Sequence, residues 1–215
     1  PSFCAQVYEA QADIASYRQW LLHDADYAAA FRFEKRLLQV LQAEAPGRWT
    51  MKNPWHPLWL DALTGEFPDA QLVMTHRDPA DVLASTGSLI ELVRKIYSDD
   101  VDLHRIGRDF METFRIMIDR QQTFRDARGD DAILDVHYSQ VMRDPIGEVR
   151  KIYEHFGDKL SAEAEAAMHA YMRDNPQGKH GKHSYSLETY GLTREAVHAE
   201  FGDYIERYGI EVRSA

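Results

Sequence analysis

The stretch VMTHRDPADVLAS, residues 73–85, decides the fold. A turn at residues 67–70 precedes it, and residues 71–77 are predicted to form the clearest strand of the chain. Asp78-Pro79 follows at once, and an acidic cap before a proline is a typical helix start. The helix is predicted to run as far as residue 97. A strand that leads directly into a helix is the building unit of an α/β fold.

Arg77 stands at the junction of this strand and helix. Backbone N–H groups and the helix dipole favour negative charge there, and a guanidinium offers paired donors suited to phosphate. Ser85 lies two helical turns beyond the Asp78 cap, on the same face. One interpretation is that Arg77 and Ser85 bind a single phosphate. The alternative is that Arg77 pairs with Asp81 and that Ser85 only packs.

The rest of the chain repeats the alternation of strands and helices. Further strands are predicted over residues 48–52 and 132–138. Helices are predicted within residues 5–45, 56–63 and 101–127, after residue 145, and near residues 161–173 and 193–208. The pattern predicts an α/β fold with a parallel sheet that is rich in helix towards its start. With only three predicted strands, we expect the sheet to be incomplete.

Composition excludes several classes of protein. The 215 residues carry 25 Lys and Arg against 35 Asp and Glu, a net charge of −10, which argues against a nucleic-acid binder. No apolar run reaches the roughly 18–20 residues that cross a bilayer, so we expect no membrane span. The single Cys4 can form neither an internal disulfide nor a zinc site, which predicts a reducing, cytoplasmic location.

A second candidate segment contains Lys52 and His56. Lys52 closes the predicted strand over 48–52, and a lysine there can neutralise a transferring group or a leaving oxygen. His56 can act as a general base near neutral pH. The alternatives are that Lys52 is a solvated strand end and that His56 packs beside Trp55 and Trp59.

A third segment, residues 175–185, is locally basic in an acidic chain. Lys179, His180, Gly181 and Lys182 follow one another closely, and glycine frees the backbone to wrap an anion. The alternative is an exposed, flexible loop. Because no carboxylate or cysteine nearby completes a ligand set, we expect no metal site.

These segments, in this order, resemble the sulfotransferases that use 3′-phosphoadenylyl sulfate (PAPS), particularly their bacterial branch. The resemblance covers most of residues 15–210 and rests on several blocks: WTMKNPWH (49–56), FPDA (67–70), THRDP (75–79), HY (137–138), RDP (143–145), HSYSLE (183–188) and YGL (190–192). It implies a helix-rich, three-layer fold like that of P-loop NTPases. We therefore interpret residues 1–215 as a single domain, helical over 1–47, with an α/β core over 48–160 and with C-terminal helices and the basic loop over 161–215.

The resemblance also implies roles for particular residues. Arg77 and Ser85 would bind the 3′-phosphate of PAPS, and the basic segment Lys179, His180, Gly181 and Lys182 would close over the same phosphate. Lys52 would stabilise charge on the sulfuryl group and its leaving phosphate, with His56 as the candidate base. An acceptor hydroxyl or amine would attack sulfur in line and release adenosine 3′,5′-bisphosphate, without a metal. A small molecule, a lipid or a carbohydrate would be the acceptor.

The chain departs from the family pattern in two places. The Gly- and Ser-rich loop that binds the 5′-phosphosulfate is not found in residues 1–45, so we expect the chain to be the C-terminal part of such a protein. Animal cytosolic relatives place the base histidine two residues after the lysine, where this chain has Pro54. Two other interpretations follow: an inactive nucleotide-binding or interaction fragment of the same fold, or a P-loop kinase relative that would require Mg²⁺.

Overall fold

Two short parallel strands form the sheet in residues 6–176, 179 and 185–213, the part of the chain that the computed structural model describes. β1 (Val73–His76) lies beside β2 (Leu134–His137), with Val73 opposite Leu134 and His76 opposite His137. Two long helices connect them, as a parallel pair requires a crossover. The predicted strands over 71–77 and 132–138 and their parallel arrangement are confirmed.

Helices dominate the remaining structure. They are α1 (Gln6–Gln11), α2 (Ala15–Gln19), α3 (Ala28–Gln42), α4 (Leu60–Glu66), α5 (Pro79–Arg94), α6 (Leu103–Arg128), α7 (Tyr138–Arg143), α8 (Pro145–His155), α9 (Ala162–Asp174), α10 (Arg194–Glu200) and α11 (Gly202–Tyr208). A π-helical turn (Trp20–Asp24) extends α2, and 3-10 turns occupy His56–Trp59, Asp130–Ala132 and Glu188–Tyr190. The predicted α/β class with an excess of helix is confirmed.

Side-chain caps explain where the principal helices begin. Asp78 accepts a hydrogen bond from the Ala80 N–H at 2.9 Å, and Asp144 accepts one from Gly147 at the same distance. A proline follows each of these two aspartates at the first helical position. The same kind of cap begins α6, α9 and α10, at Asp102, Ser161 and Thr193. The predicted helix starts at residues 78 and 144 are therefore confirmed.

The core lies where α5 and α6 cross. Gly87 of α5 and Gly107 of α6 allow Tyr190 to enter between the helices: a β-carbon at Gly107 would lie 2.0 Å from the Tyr190 carbonyl oxygen. The Tyr190 hydroxyl donates a 2.8 Å hydrogen bond to Glu91. Burial and then this bond raise the pKa of Tyr190 to about 12, so the hydroxyl stays a donor at physiological pH.

A buried arginine ties the N-terminal helices to α6. Arg18 donates hydrogen bonds to Glu9 at 3.1 Å, to the Thr113 hydroxyl at 2.6 Å and to Glu112 at 2.9 Å. Glu9 is 2% exposed, and its burial raises the pKa of that carboxyl. The charges are compatible with burial because they are paired and hydrogen-bonded.

The predicted strand over 48–52 is wrong. The segment is irregular and exposed, and no strand in the described part of the chain forms a backbone ladder with it. Val73 of β1 and residues 48–51 line one groove of about 960 Å³, so open space lies beside the sheet edge where a ladder would be needed. Extended backbone without a neighbouring strand has no partner for its N–H and C=O groups.

Three predicted helix boundaries also differ. α5 ends at Arg94 instead of residue 97, and the helix predicted over 56–63 begins as a 3-10 turn and continues to Glu66. The helix predicted near 193–208 is two helices, because Phe201 separates α10 from α11. None of these differences moves the strand–helix junction at Arg77.

Candidate functional site

Arg77 lies between the end of β1 at His76 and the start of α5 at Pro79. The Asp78 cap fixes the first turn of α5, so the backbone leaves the strand and enters the helix within two residues. This position joins the carboxyl end of a strand to the amino end of a helix, where α/β folds bind anions. The predicted placement of Arg77 is confirmed.

The Arg77 guanidinium has one buried donor, Nε, that the described residues do not use. Its plane centre lies 4.6 Å from the centroid of the Tyr138 ring, and Nη2 lies 3.6 Å from Oδ2 of Asp81. Nε is buried and has no hydrogen-bond partner within the described ranges. The alternative pairing with Asp81 is thus present as an ion pair, while a buried donor remains for an anion.

Ser85 lies on the same face of α5 as this ion pair. Asp81 contacts Arg77, and Ser85 is four residues further along the helix, which places it one turn above Asp81. The side chain is half-buried. Asp81 and Ser85 therefore lie one above the other on the first two turns of α5, and Arg77 lies just before the helix on the same side.

Lys52 and His56 form a separate group. Lys52 is exposed and makes no ion pair with any described residue, whereas His56 is half-buried at the start of its 3-10 turn. Burial lowers the pKa of His56, and its ring lies 6.0 Å from that of Phe31. His56 lines the groove beside β1. Within the described residues, no hydrogen bond joins Lys52 or His56 to Arg77 or Ser85.

Of the four candidate residues in the basic segment, the structure describes only Lys179. Its ammonium donates to the Asp174 carbonyl at 2.8 Å and to the Asn175 side-chain oxygen at 3.2 Å. A lysine at the last carbonyls of α9 is favourable because of the helix dipole. His180, Gly181 and Lys182 lie outside the described residues.

Sequence analysis missed a cluster of charges that surrounds the start of α5. Arg194 donates to Oδ2 of Asp78 at 2.8 Å and to Oδ1 of Asp81 at 3.0 Å. His198 Nε2 lies 2.9 Å from Oδ1 of Asp78, and the Arg213 N–H donates to Oδ2 at 3.1 Å. Burial alone raises the pKa of Asp78, but the hydrogen bonds with His198 and with the backbone N–H groups of Arg213 and Ala80 outweigh it and hold the pKa below its ordinary value.

A second buried network supports the strand ends. His76 is 1% exposed, with Nε2 2.7 Å from Asp135 and Nδ1 2.8 Å from the Tyr204 hydroxyl. Its ring stacks on Tyr208 at 4.4 Å, and Arg125 also donates to Asp135. The network joins β1, β2, α6 and α11 immediately behind Arg77, so it fixes the backbone from which Arg77 extends.

The following two findings concern residues 6–176, 179 and 185–213. Within those ranges no group of three or more His, Cys, Asp or Glu side chains converges as metal ligands do. No helix there combines the length and the apolar character that crossing a bilayer demands.

The chain is similar to known sulfotransferases. A family model described as "Sulfotransferase family" matches residues 1–162. The omega-hydroxy-beta-dihydromenaquinone-9 sulfotransferase Stf3 of Mycobacterium bovis is 23% identical over 167 residues, which are 75% of this chain and 41% of that protein. The same enzyme of Mycobacterium tuberculosis matches equally well.

Two crystal structures resemble the fold closely. Sulfotransferase STF9 from Mycobacterium avium superposes with a TM-score of 0.90 and 34% identity, over 98% of this chain and 54% of its own. Sulfotransferase STF1 from M. tuberculosis H37Rv superposes with a TM-score of 0.76 and 36% identity, over 92% of this chain and 51% of its own. The chain thus spans about half the length of these relatives.

Proposed function

The chain belongs to the sulfotransferase family, and from this premise we propose that the protein transfers a sulfuryl group from PAPS to a hydroxyl or amine. In the reaction the acceptor oxygen or nitrogen forms a bond to sulfur, while the bond between sulfur and the 5′-phosphate oxygen breaks. Adenosine 3′,5′-bisphosphate leaves, and the acceptor proton passes to a base. Residues 1–215 act as one domain in this proposal, supported by a buried core that includes residues from Leu21 to Phe201.

The proposal is carried by the buried Nε of Arg77, which has no hydrogen-bond partner in the part of the chain that the structure describes. An arginine with a free donor at a strand–helix junction suits a phosphate monoester, which accepts charge-assisted hydrogen bonds. Ser85 adds a hydroxyl on the same face of α5. We assign the 3′-phosphate of PAPS to these two side chains.

Lys52 and His56 are assigned to the reacting groups. The ammonium of Lys52, exposed and without an ion pair among the described residues, would offset the negative charge that grows on the leaving phosphate. Because burial lowers the pKa of His56, its imidazole is neutral at pH 7 and can accept the acceptor proton. Lys179, His180, Gly181 and Lys182 are assigned to the 3′-phosphate on the sequence resemblance alone.

The acceptor class is proposed from a relative. Stf3 is named for a hydroxylated menaquinone derivative, which supports a lipid alcohol; small-molecule and carbohydrate alcohols remain proposals from sequence. The cytoplasmic location likewise stays a prediction from the single Cys4. Neither the inactive-fragment nor the kinase interpretation is favoured by the family match.

Calorimetric titration with adenosine 3′,5′-bisphosphate tests the assignment of Arg77. Adenosine 5′-monophosphate, which lacks the 3′-phosphate, is the ligand control. We expect Arg77→Ala to lose about 1.5–3 kcal/mol of bisphosphate affinity, the range for a hydrogen bond to a charged group. Arg115→Ala removes an exposed arginine of α6 that pairs with Asp119 and should bind like the wild type. Equal affinity of the wild type for both nucleotides would refute the proposed function.

A further inference from the structure

Asp81 is an obstacle to phosphate binding at Arg77. Its carboxylate lies 3.6 Å from Arg77 Nη2 and one turn below Ser85 on α5. A phosphate between Arg77 and Ser85 would meet this like charge, and the Asp81 side chain is only 12% exposed, so water screens it weakly. Something in the protein must offset the Asp81 charge if the site is to bind an anion.

Arg194 is placed to do so. One guanidinium nitrogen binds Asp78 at 2.8 Å and the other binds Asp81 at 3.0 Å, so a single planar group bridges both carboxylates. The bridge is shorter than the 3.6 Å approach of Arg77 to Asp81. Asp81 is therefore hydrogen-bonded to Arg194, whereas its contact with Arg77 is an ion pair beyond hydrogen-bond distance.

The balance of charge around α5 depends on the same residue. Asp78 and Asp81 face the three arginines at positions 77, 194 and 213, so the arginines exceed the aspartates by one positive charge, with the His198 ring as a further partner of Asp78. Arg213 is 75% exposed and reaches Asp81 only at 3.6 Å, so solvent weakens its contribution. Without Arg194 the formal charges of these arginines and aspartates cancel, and Arg77, which is less exposed than Arg213, is the stronger remaining cation beside Asp81.

We propose that Arg194 is a positioning residue of the phosphate site. Because Arg194 bridges Asp78 and Asp81, it offsets the negative charge of both carboxylates. The Arg77 guanidinium then stays available to bind a nucleotide 3′-phosphate. The inference rests on the proposed function, because it concerns the same site, but it assigns a residue that does not itself contact the phosphate.

A double-mutant cycle with adenosine 3′,5′-bisphosphate tests the proposal. Arg194→Gln should weaken binding at least tenfold, because Asp81 then turns to Arg77. Asp81→Asn alone should bind as well as the wild type or better. The double variant R194Q/D81N should return to within threefold of the wild type, since the competing charge is gone. If Arg194 only stabilised the fold, the folded fraction of R194Q would bind the bisphosphate as tightly as the wild type does.

Two further measurements keep the test decisive. Thermal unfolding shows whether R194Q is folded. If it is not, Arg194→Lys retains the charge but cannot bridge two carboxylates, and it should bind more weakly than the wild type by a factor below ten. Affinity of R194Q or R194K equal to that of the wild type, or a double variant as weak as R194Q, would overturn the inference while the bisphosphate preference of the wild type stands. A wild type without that preference would overturn the proposed function as well.

Discussion

The ring of Tyr190 lies against the backbone of Gly87, where an added β-carbon would sit 2.6 Å from ring atom Cδ2. On its other side, the Tyr190 carbonyl oxygen approaches Gly107 so closely that no β-carbon fits. The two glycines thus decide how the segment after the basic loop joins α5 and α6. Side chains larger than hydrogen at either position must displace that segment.

Gly107→Ala should destabilise the protein by about 1–3 kcal/mol, because the clash is with backbone and rigid groups cannot give way cheaply. Gly65→Ala is the matched control: Gly65 lies in α4 with nothing within 4 Å of a β-carbon. Alanine there should be neutral or stabilise by about 0.5–1 kcal/mol. Urea unfolding measures both. Equal midpoints for the two variants would contradict the close approach of Tyr190.

Asp135→Asn should lower the free energy of unfolding at pH 7 by about 3 kcal/mol, since Arg125, 1% exposed, then lacks its charged partner. The control is Asp130→Asn, because the Asp130 side chain is 76% exposed where it pairs with Arg207. This variant should lose less than about 1 kcal/mol of unfolding free energy. If both variants lost the same stability, the buried network would not be a major contributor.

The contribution of Asp135 should also depend on pH. Burial raises the pKa of Asp135. The hydrogen bond to His76 and the charge of Arg125 together lower it by more, so the pKa lies below the ordinary 3.8. Its stabilisation is therefore complete above pH 3.8 and is lost as the pH falls through the folded-state pKa. Unfolding free energies of wild type and D135N should converge as the pH is lowered from 5 to 2. A constant difference across that range would contradict this assignment.

His56→Ala should reduce sulfuryl transfer about 100-fold, the lower end of general acid–base contributions. Because the pKa of His56 lies below its ordinary 6.5, the wild-type rate should fall only at pH values below 6.5. The variant should lose that acid limb. His169→Ala, at an exposed position on α9, should keep both rate and profile. A rate within threefold for H56A would exclude His56 as the base.

Ser85→Ala should weaken adenosine 3′,5′-bisphosphate by about 0.5–1.5 kcal/mol and leave adenosine 5′-monophosphate unaffected. The hydroxyl lies on the Arg77 side of α5, so its loss removes one donor to the 3′-phosphate. Titration calorimetry with both nucleotides separates this effect from a general loss of fold. Equal weakening of both nucleotides would place Ser85 outside the 3′-phosphate site.

Sequence reasoning succeeded where structure is decided locally. The strand at β1, the Asp78 cap and the proline after it are consecutive residues, and each has its own conformational preference. The strand predicted over 48–52 failed for the opposite reason. A strand exists only beside a second strand, and composition cannot say whether that neighbour is present.

The charge cluster at α5 could not be predicted in this way. Arg194 meets Asp78 across 116 positions of sequence, and nothing near Thr193 marks it as a partner of an acid. Arg18 and Arg125 were missed because arginine is usually exposed, whereas both are buried and paired. Of the cluster, only Asp78 has a role that neighbouring residues indicate, because it caps a helix. A helix cap does not predict the contacts of Asp78 with Arg194 and His198.

An exposed sheet edge favours association between copies of a protein. In the described part of the chain only β2 pairs with β1, so the far edge presents backbone donors and acceptors to any other extended segment. At neutral pH the net charge of −10 keeps copies apart by mutual repulsion. That repulsion vanishes at the isoelectric point of about 5.4, where edge-to-edge association and precipitation should be greatest. Purification and crystallisation are therefore best begun well above that pH.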